Sequence, residues 1–436
     1  MNTYKFLLKD YKAIKEAQIE LNGITVLAGE NSAGKSTITR WLYYLVEVIT
    51  NYDKFVYEDL RNDIFNILKE YRIGFRGMIF ENNPTVLSIS KWQTQSRNVD
   101  YSSEESVLRV VDDAKEIIVR VAEFINNNKR GDDPIIDRHL SRSLMFLGID
   151  GVENFDSDSF ISKNNLKIDE LYNNYCTRIK ERSKDNVINY VRQHYEDTLK
   201  RPNNIKLFED EVPILEESIV GYLLGIQRAI YVDTPMAVVN EVMFNPLWEN
   251  LQALLKKTSG VKLSLEVKKM LLRIQNLIHG SIRFNDDDFD NVLHYVREDN
   301  LDIPLLEAAT GIKSFACIIR LLENGYLDKN TLLIIDEPEA HLHPQWIVEY
   351  ARILVLLSKE LGVRVLIASH NPDMVAAIQS IGEKEGLKER ITFYQAIQTD
   401  TKYQYEYKNL GFEVSEIFKS FNIALSRIKD YGRIDN

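Results

Sequence analysis

Residues 24–37 constrain the fold more than any other segment, because they join three local patterns in a fixed order. The run ITVLA at residues 24–28 is apolar throughout, which is typical of a strand buried on both faces of a sheet. Gly29 ends that run, and a helical pattern begins after Lys35. Between them, GENSAGKS fits the pattern G-x-x-x-x-G-K-[ST] in full. A strand, a glycine loop and a helix in this order predict a phosphate-binding loop.

The residue types of this loop suit a phosphate chain. Its glycines let backbone N–H groups approach phosphate oxygens, and the following helix presents its positive end to the same anion. We expect Lys35 to reach the β- and γ-phosphates and Ser36 to hold Mg²⁺. A chance glycine turn is the alternative, and the flanking strand and helix argue against it. The residues predicted to bind ATP are Gly29, Asn31, Ser32, Ala33, Gly34, Lys35, Ser36 and Thr37.

A second motif ends another apolar run far downstream. Residues 332–335, LLII, predict a strand buried on both faces, and Asp336 and Glu337 follow it directly. We expect Asp336 to bind Mg²⁺, directly or through water, and Glu337 to polarise the attacking water. A strand that merely ends in a solvated acidic turn is the alternative.

Two weaker motifs accompany these. His370 follows a predicted strand at residues 363–368, where it could contact the γ-phosphate and the water, although a lone histidine there is more often a turn residue. Residues 309–314, ATGIKS, precede a helical run and could bind an anion at its start. From these residues alone, a helix capped by Thr310 is the better interpretation.

Strands and helices alternate along much of the chain, which predicts an α/β fold with a largely parallel sheet and a nucleotide site at the carboxyl ends of its strands. We expect the ATPase head to be formed by residues 1–100 and 226–436, and residues 101–225 to form a charge-rich helical insertion or arm. Other strands are predicted at residues 4–8, 17–21, 85–92, 228–232, 282–285, 292–296, 303–306, 391–397 and 404–407. Helices are predicted at residues 105–126, 168–199, 346–361, 373–378 and 414–428.

Composition sets limits on partners and compartment. The net charge of -11 argues against a uniformly basic surface and leaves room for a local basic patch. The two cysteines, Cys176 and Cys317, form no CxxC pair, so we expect neither a zinc site nor a disulfide framework. No apolar run reaches the ~18 residues of a membrane span, and the N-terminus lacks a signal-peptide core. We therefore expect a cytoplasmic protein with no membrane partner.

Residues 178–206 hold eight basic and four acidic side chains with interleaved tyrosines, a composition that could contact nucleic acid. A solvated helix face is the preferred interpretation. An acidic run at residues 286–290 could suggest calcium, but it lacks the full loop pattern, so a polar hairpin turn is preferred. Tyr11 could stack on adenine, although packing is more common for such a residue.

Together the four motifs resemble the ATP-binding-cassette heads of the RecF, SMC and OLD-like AAA ATPases. The resemblance covers residues 1–50 and 280–380, including LLIIDEPEAHLHPQW and IASHNPDMV, but not the helical middle. It implies a P-loop NTPase head with a mostly parallel sheet, an antiparallel β lobe and a helical insertion. In this family Glu337 would be the catalytic glutamate and His370 the switch histidine.

The resemblance also implies a role for residues 310–313, Thr-Gly-Ile-Lys, which stand where the family has its signature motif, commonly Ser-Gly-Gly-Gln. That loop contacts ATP held by a second subunit. Thr310, Gly311 and Lys313 are therefore expected to bind ATP across a head-to-tail dimer, although Lys313 departs from transporter signatures and looks like the OLD-like branch.

His341 and His343 resemble the loop that follows the acidic strand in this family. A His-x-His pair could suggest a metal ion. An interface loop is preferred to a metal site, because no third ligand lies nearby in the sequence.

The leading functional hypothesis is an ATP-driven sensor or switch for a partner effector. Proteins that look like this chain are often bacterial anti-phage defence ATPases, similar to Septu or retron-associated ATPases. Residues 371–436 leave no room for the nuclease domain of OLD nucleases, so we expect any nuclease to be a partner. The alternatives are a RecF/SMC-like DNA-binding repair ATPase and an ATP-bound scaffold that restrains a toxin or nuclease.

Overall fold

The computed structural model describes residues 2–75, 84–128, 134–149, 153–195, 202–216, 218, 220–233, 245–256, 260–284, 292–340 and 342–419. Its strands are β1 Tyr4–Tyr11, β2 Ile14–Leu21, β3 Ile24–Ala28, β4 Asn204–Glu209, β5 Val212–Leu215, β6 Arg228–Val232, β7 Gly280–Phe284, β8 Leu293–Arg297, β9 Asp302–Pro304, β10 Thr331–Asp336, β11 Arg364–Ser369, β12 Ile391–Gln398 and β13 Tyr405–Gly411. Its helices are α1 Lys35–Thr50, α2 Tyr52–Gly74, α3 Pro84–Gln95, α4 Glu104–Asn128, α5 Pro134–Phe146, α6 Ser157–Lys180, α7 Lys184–Tyr195, α8 Pro246–Leu255, α9 Leu265–Leu277, α10 Thr310–Glu323, α11 Pro344–Leu361 and α12 Pro372–Lys384.

The chain divides into two compact units. Met1–Thr50 and Lys184–Asn436 form the sheet unit, and Asn51–Ser183 form the helical unit. These bounds differ from the predicted head and insertion boundaries, which lie at residues 100 and 225. The difference arises because α2 and α3 belong to the helical unit, whereas β4 and β5 join the large sheet through β1.

Within the described residues, the sheet unit contains a ten-stranded sheet in the order β5-β4-β1-β2-β13-β12-β3-β11-β10-β6. The strands β12, β3, β11, β10 and β6 pair in parallel. Every residue of β3, β10 and β11 is buried, as expected for apolar strands covered on both faces. A separate antiparallel sheet contains β7, β8 and β9. The predicted α/β head with a mostly parallel sheet and an antiparallel lobe is confirmed.

The parallel register determines where the site lies. Ala28 in β3 is opposite Ser369 in β11, and Asp336 in β10 is opposite Ala368. The predicted phosphate loop, Glu337 and His370 therefore leave the sheet at the same edge, each directly after its strand, and Asp336 is the last residue of β10.

Most other predicted strands are confirmed, including β1 and β2, which pair in the antiparallel direction. The strand predicted at residues 85–92 is wrong, because this segment lies in α3. Ile89 and Trp92 are buried and three residues apart, so they share one helix face, and Trp92 Nε1 donates to the carbonyl of Val110 at 2.9 Å. Over so few residues, the spacing of apolar side chains fits the period of a strand as well as that of a helix.

The helix predicted at residues 168–199 is also wrong as a single element, because α6 ends at Lys180 and α7 starts at Lys184. Most of the helix predicted at residues 414–428 lies outside the described residues. In the part of the chain that the structure describes, no helix combines the length and apolar character needed to cross a membrane.

A buried carboxylate ties β1 to the region after β5. Glu209 Oε1 accepts hydrogen bonds from the Tyr4 hydroxyl at 2.6 Å, Asn2 Nδ2 at 2.6 Å and the backbone N–H of Gly225 at 2.8 Å. Glu209 Oε2 accepts from the N–H of Leu224 at 2.8 Å. Burial raises the pKa of Glu209, but these hydrogen bonds outweigh burial and hold the pKa below its ordinary value of 4.5.

We expect Glu209→Gln to lower the free energy of unfolding at neutral pH by about 1–3 kcal/mol, because the amide cannot accept all of these hydrogen bonds. Because the folded pKa is lowered, the stabilisation is fully present above the unfolded pKa and is lost as the pH falls through the folded value. Urea denaturation at about pH 7 and about pH 3 measures the loss, which should shrink at the lower pH. The control is Glu406→Gln, at an exposed position of β13. An equal loss at both pH values would contradict the assignment.

Candidate nucleotide site

The loop between β3 and α1 accepts only small residues at two positions. Gly34 has a φ of 91°, and a Cβ there would lie 2.9 Å from Ile14 Cγ1. A Cβ on Gly29 would lie 2.7 Å from the Cβ of Ala396. Ser32 also has a positive φ, 67°. Left-handed residues next to right-handed ones can turn N–H groups toward one side, as in an anion-binding nest.

A hydrogen bond from strand β13 stabilises this loop. The carbonyl of Ala33, a fully buried residue, accepts a hydrogen bond from the Tyr407 hydroxyl at 3.1 Å. The N–H of Thr37 donates to the carbonyl of Gly34 at 3.1 Å, which begins α1 directly after the loop. The loop is therefore shaped by the sheet unit itself.

Lys35 is the first residue of α1 and is only 5% exposed. Its Nζ donates to the carbonyls of Gly29 and Glu30, both at 2.9 Å. Burial lowers the pKa of Lys35, and the carboxylates of Asp336 and Glu337 act in the opposite direction. The Lys35 side chain thus folds back over the loop, and the charges of Asp336 and Glu337 act on it.

Asp336 is buried at the end of β10. The Tyr231 hydroxyl donates to Asp336 Oδ2 at 3.0 Å, whereas Oδ1 has no hydrogen-bond partner among the described residues. Burial raises the pKa of Asp336, while the hydroxyls of Ser36 and Tyr231 lower it. A buried carboxylate oxygen without a donor is satisfied by a cation, so Ser36 and Asp336 fit the predicted Mg²⁺.

Glu337 has a φ of 52°, which is rare for a residue with a side chain and is found at functional sites. Its N–H donates to the carbonyl of Ala368 at 2.8 Å. The side chain is 44% exposed, and its Oε1 lies 3.5 Å from Nδ1 of His370. The structure thus places the two predicted catalytic side chains next to each other.

Two residues of this site, Glu339 and Tyr231, are given no role by the sequence motifs described above. Glu339 is buried, and its Oε1 accepts hydrogen bonds from Ser369 Oγ and the N–H of His370. The third acid in the run DEPE was a signal that could have identified it. Tyr231, the partner of Asp336, lies in β6, and nothing in the local sequence distinguishes it from a core tyrosine.

Residues 309–314 begin α10, but not through a Thr310 cap. Ala309 is the N-cap residue, and no described side chain caps this helix end. A Cβ on Gly311 would lie 2.7 Å from Cε3 of Trp346, so close packing explains this glycine within one chain. Lys313 is buried and its Nζ donates to the carbonyl of Leu306 at 2.7 Å. Contact of Thr310, Gly311 and Lys313 with ATP across a dimer remains a prediction.

Two other predicted residues have structural roles. Tyr11 is 4% exposed and packs edge-on against Trp41, with ring centroids 5.8 Å apart, which supports packing over adenine stacking. His343 is the N-cap of α11, and its Nδ1 accepts from the N–H of Gln345 at 3.4 Å. His341 lies outside the described residues. Among those that are described, no group of three or more His, Cys, Asp and Glu side chains could hold a metal ion.

The basic side chains of residues 178–206 do not belong to one element. The first part lies in the helical unit and the second in the sheet unit, and residues 196–201 lie outside the described part. Arg178 and Arg182 form ion pairs with aspartates of the helical unit at 2.7 Å and 2.8 Å. The acidic run at 286–290 is likewise not described. Nucleic acid therefore remains an alternative partner without support from this segment.

We expect Gly34→Ala to weaken the binding of a non-hydrolysable ATP analogue by about 10-fold or more, because the new Cβ must displace Ile14 or open the loop. Isothermal titration calorimetry measures the affinity. Gly386→Ala is the matched control, because Gly386 also has a positive φ, 73°, but a Cβ at this position would meet no described atom within 4 Å. Unchanged affinity in Gly34→Ala would contradict a role of this loop in binding phosphate.

Comparison with known proteins gives a family match over most of the chain. A family model described as an AAA ATPase domain matches residues 1–375. The energy-coupling factor transporter ATP-binding protein EcfA2 of Clostridium perfringens is 46% identical over 44 residues, which are 10% of this chain and 15% of that protein. This match therefore spans only a small part of the transporter protein.

Two solved structures similar to this chain are Smc head domains. That of Pyrococcus furiosus, bound to the C-terminal domain of ScpA, is 12% identical with a TM-score of 0.36, covering 98% of this chain and 100% of that one. That of Thermotoga maritima is 11% identical with a TM-score of 0.37, covering 94% and 99%.

Proposed function

We propose that this chain, which belongs to the family of AAA ATPase domains, binds ATP with Mg²⁺ and hydrolyses it to ADP and phosphate at the carboxyl edge of its parallel sheet. One observation carries the proposal. The buried Lys35 of the phosphate loop lies in the field of Asp336 and Glu337, which are some 300 residues away along the chain. A cation and two acids around a phosphate loop are the groups that phosphoryl transfer to water requires.

Each residue has a role that its surroundings support. The loop N–H groups and Lys35 would bind the phosphates, and Ser36 and Asp336 would hold Mg²⁺. When bound, Mg²⁺ neutralises charge on the phosphate oxygens. Asp336 retains an acceptor oxygen for this purpose because Tyr231 engages only Oδ2.

Hydrolysis requires a water molecule aligned with the γ-phosphorus. Glu337 is half-exposed at the sheet edge, where it can accept a hydrogen bond from that water. His370 lies beside Glu337 and can donate to the water or to a γ-phosphate oxygen. The water then attacks phosphorus as Glu337 takes up one of its protons, while the bond from the γ-phosphorus to the bridging oxygen breaks and ADP leaves.

We expect Glu337→Gln to lower ATP turnover about 100-fold or more with little change in ATP affinity, because the amide cannot take up a proton from water. Steady-state phosphate release and analogue binding measure the two quantities. Glu383→Gln, at an exposed position of α12, is the control. Equal turnover in Glu337→Gln and wild type would overturn the assignment and favour the ATP-bound scaffold.

We further propose that two chains form a head-to-tail dimer, in which Thr310, Gly311 and Lys313 of one chain approach ATP on the other. Thr310 is the best position for a test because it is partly exposed, whereas Gly311 and Lys313 are buried. In the Glu337→Gln background, we expect ATP to produce dimers in analytical ultracentrifugation and Thr310→Arg to prevent them. Dimers that form equally with Thr310→Arg would contradict this interface.

The biological role that fits best is a cytoplasmic switch that passes its ATP state to an effector such as a nuclease, without a membrane partner. We place this switch in bacterial anti-phage defence because the sequence resembles defence ATPases. The RecF/SMC-like repair alternative would be favoured by DNA binding of the purified protein that weakens with rising salt.

A further inference from the structure

Glu339 is a buried carboxylate to which the proposed reaction gives no role. It lies two residues beyond Glu337, and its side chain is 4% exposed. Burial of an ionised carboxylate is costly unless its oxygens are paired. Its buried position beside the candidate nucleotide site is therefore a reason to look for a specific function.

Among the described residues, the side-chain hydrogen bonds of Glu339 go to one segment. Its Oε1 accepts from Ser369 Oγ at 2.8 Å and from the N–H of His370 at 2.9 Å. The same oxygen lies 3.5 Å from Nδ1 of His370. Its Oε2 has no hydrogen-bond partner among the described residues. The carboxylate of Glu339 thus bonds directly to Ser369 and His370 at the end of β11.

This segment is a connected turn. Ser369 Oγ, which donates to Glu339, accepts from the N–H of Asn371 at 3.1 Å. Asn371 Oδ1 in turn caps α12 by accepting from the N–H of Asp373 at 2.8 Å. Glu339 therefore anchors the turn that orients His370.

The His370 imidazole lies between two carboxylates. Its Nδ1 is 3.5 Å from Oε1 of Glu337 and 3.5 Å from Oε1 of Glu339. The two acids differ in surroundings, since Glu337 is 44% exposed and Glu339 is buried. The buried one is fixed, and the exposed one is accessible to a water molecule.

We propose that Glu339 is a positioning residue for ATP hydrolysis, which holds the His370 imidazole against Glu337 by anchoring Ser369 and the His370 backbone. This inference rests on the proposed ATPase function. Glu339 acts through His370 and does not touch ATP. Its loss therefore lowers kcat only as far as His370 contributes to kcat, and leaves ATP affinity unchanged.

A competing explanation is purely electrostatic. The charge of Glu339 also acts on Lys35, whose pKa it raises. If this were its main function, Glu339→Gln and Glu339→Ala would both change ATP affinity. If Glu339 is a positioning residue, Glu339→Gln retains most activity, because the amide oxygen can still accept from Ser369 and His370.

The test uses the full chain with Glu339→Ala, Glu339→Gln, His370→Ala and the double variant Glu339→Ala/His370→Ala. We expect Glu339→Ala to lower kcat about 10-fold to 100-fold at constant KM, and Glu339→Gln to stay within about 5-fold of wild type. The double variant should match His370→Ala within about 2-fold. Losses that multiply in the double variant, or a weaker affinity for the ATP analogue, would overturn the proposal.

Glu209→Gln is the matched control for general destabilisation. Glu209 is also a buried hydrogen-bonded carboxylate, but it acts on Arg364 at the start of β11, whereas Glu339 bonds Ser369 at the end of that strand. We expect this variant to lose stability and keep kcat. A similar loss of kcat in Glu209→Gln would indicate that Glu339→Ala lowers kcat through lower protein stability.

A second measurement does not depend on turnover. Imidazole NMR signals of nucleotide-free protein, assigned for His370 by comparison with His370→Ala, should shift in Glu339→Ala while the signals of other histidines stay in place. Unchanged His370 signals would overturn the positioning role. If the wild type hydrolyses no ATP, the proposed function fails, and these signals still decide whether Glu339 positions His370.

Discussion

The parallel register of β3, β11 and β10 is the constraint on which the site depends. It brings Ala28, Ser369 and Asp336 to one edge of the sheet, although they come from three distant parts of the chain. Because these groups end their strands or directly follow them, the hydrogen-bond ladder sets the relative positions of the phosphate loop, the acidic pair and the histidine. Strands fix the positions of such groups more precisely than loops alone do.

The three acids at this edge, Asp336, Glu337 and Glu339, differ in burial. Asp336 and Glu339 are buried, and among the described residues each has one engaged and one unpaired carboxylate oxygen, whereas Glu337 is half-exposed. Unpaired buried oxygens are costly, and such costs persist where function requires them. In the proposed mechanism a cation would satisfy the unpaired oxygen of Asp336, and Glu339 would position His370 through its engaged oxygen. Glu337 is left accessible for water.

Sequence patterns were reliable where one physical effect dominated. The apolar runs of β3, β10 and β11 predicted buried strands at the correct positions, because a parallel strand covered on both faces shows no alternation of apolar and polar residues. Short amphipathic segments were less reliable. Residues 85–92 form part of α3, since the packing of Ile89 and Trp92 selects the helical period. The extent of the helical unit followed from contacts, which no local pattern contains.

The sequence by itself determined the phosphate loop, because Gly34, Lys35 and Ser36 act through backbone shape and charge that are local to one turn. It also supplied the proposed roles of Asp336 and Glu337, which follow from a strand and its end. Only the tertiary structure decided the partners of these residues. Glu339 meets His370 across 31 positions, and Tyr231 meets Asp336 across 105 positions. Such pairings depend on strand order and register, which are set by the packing of the whole sheet.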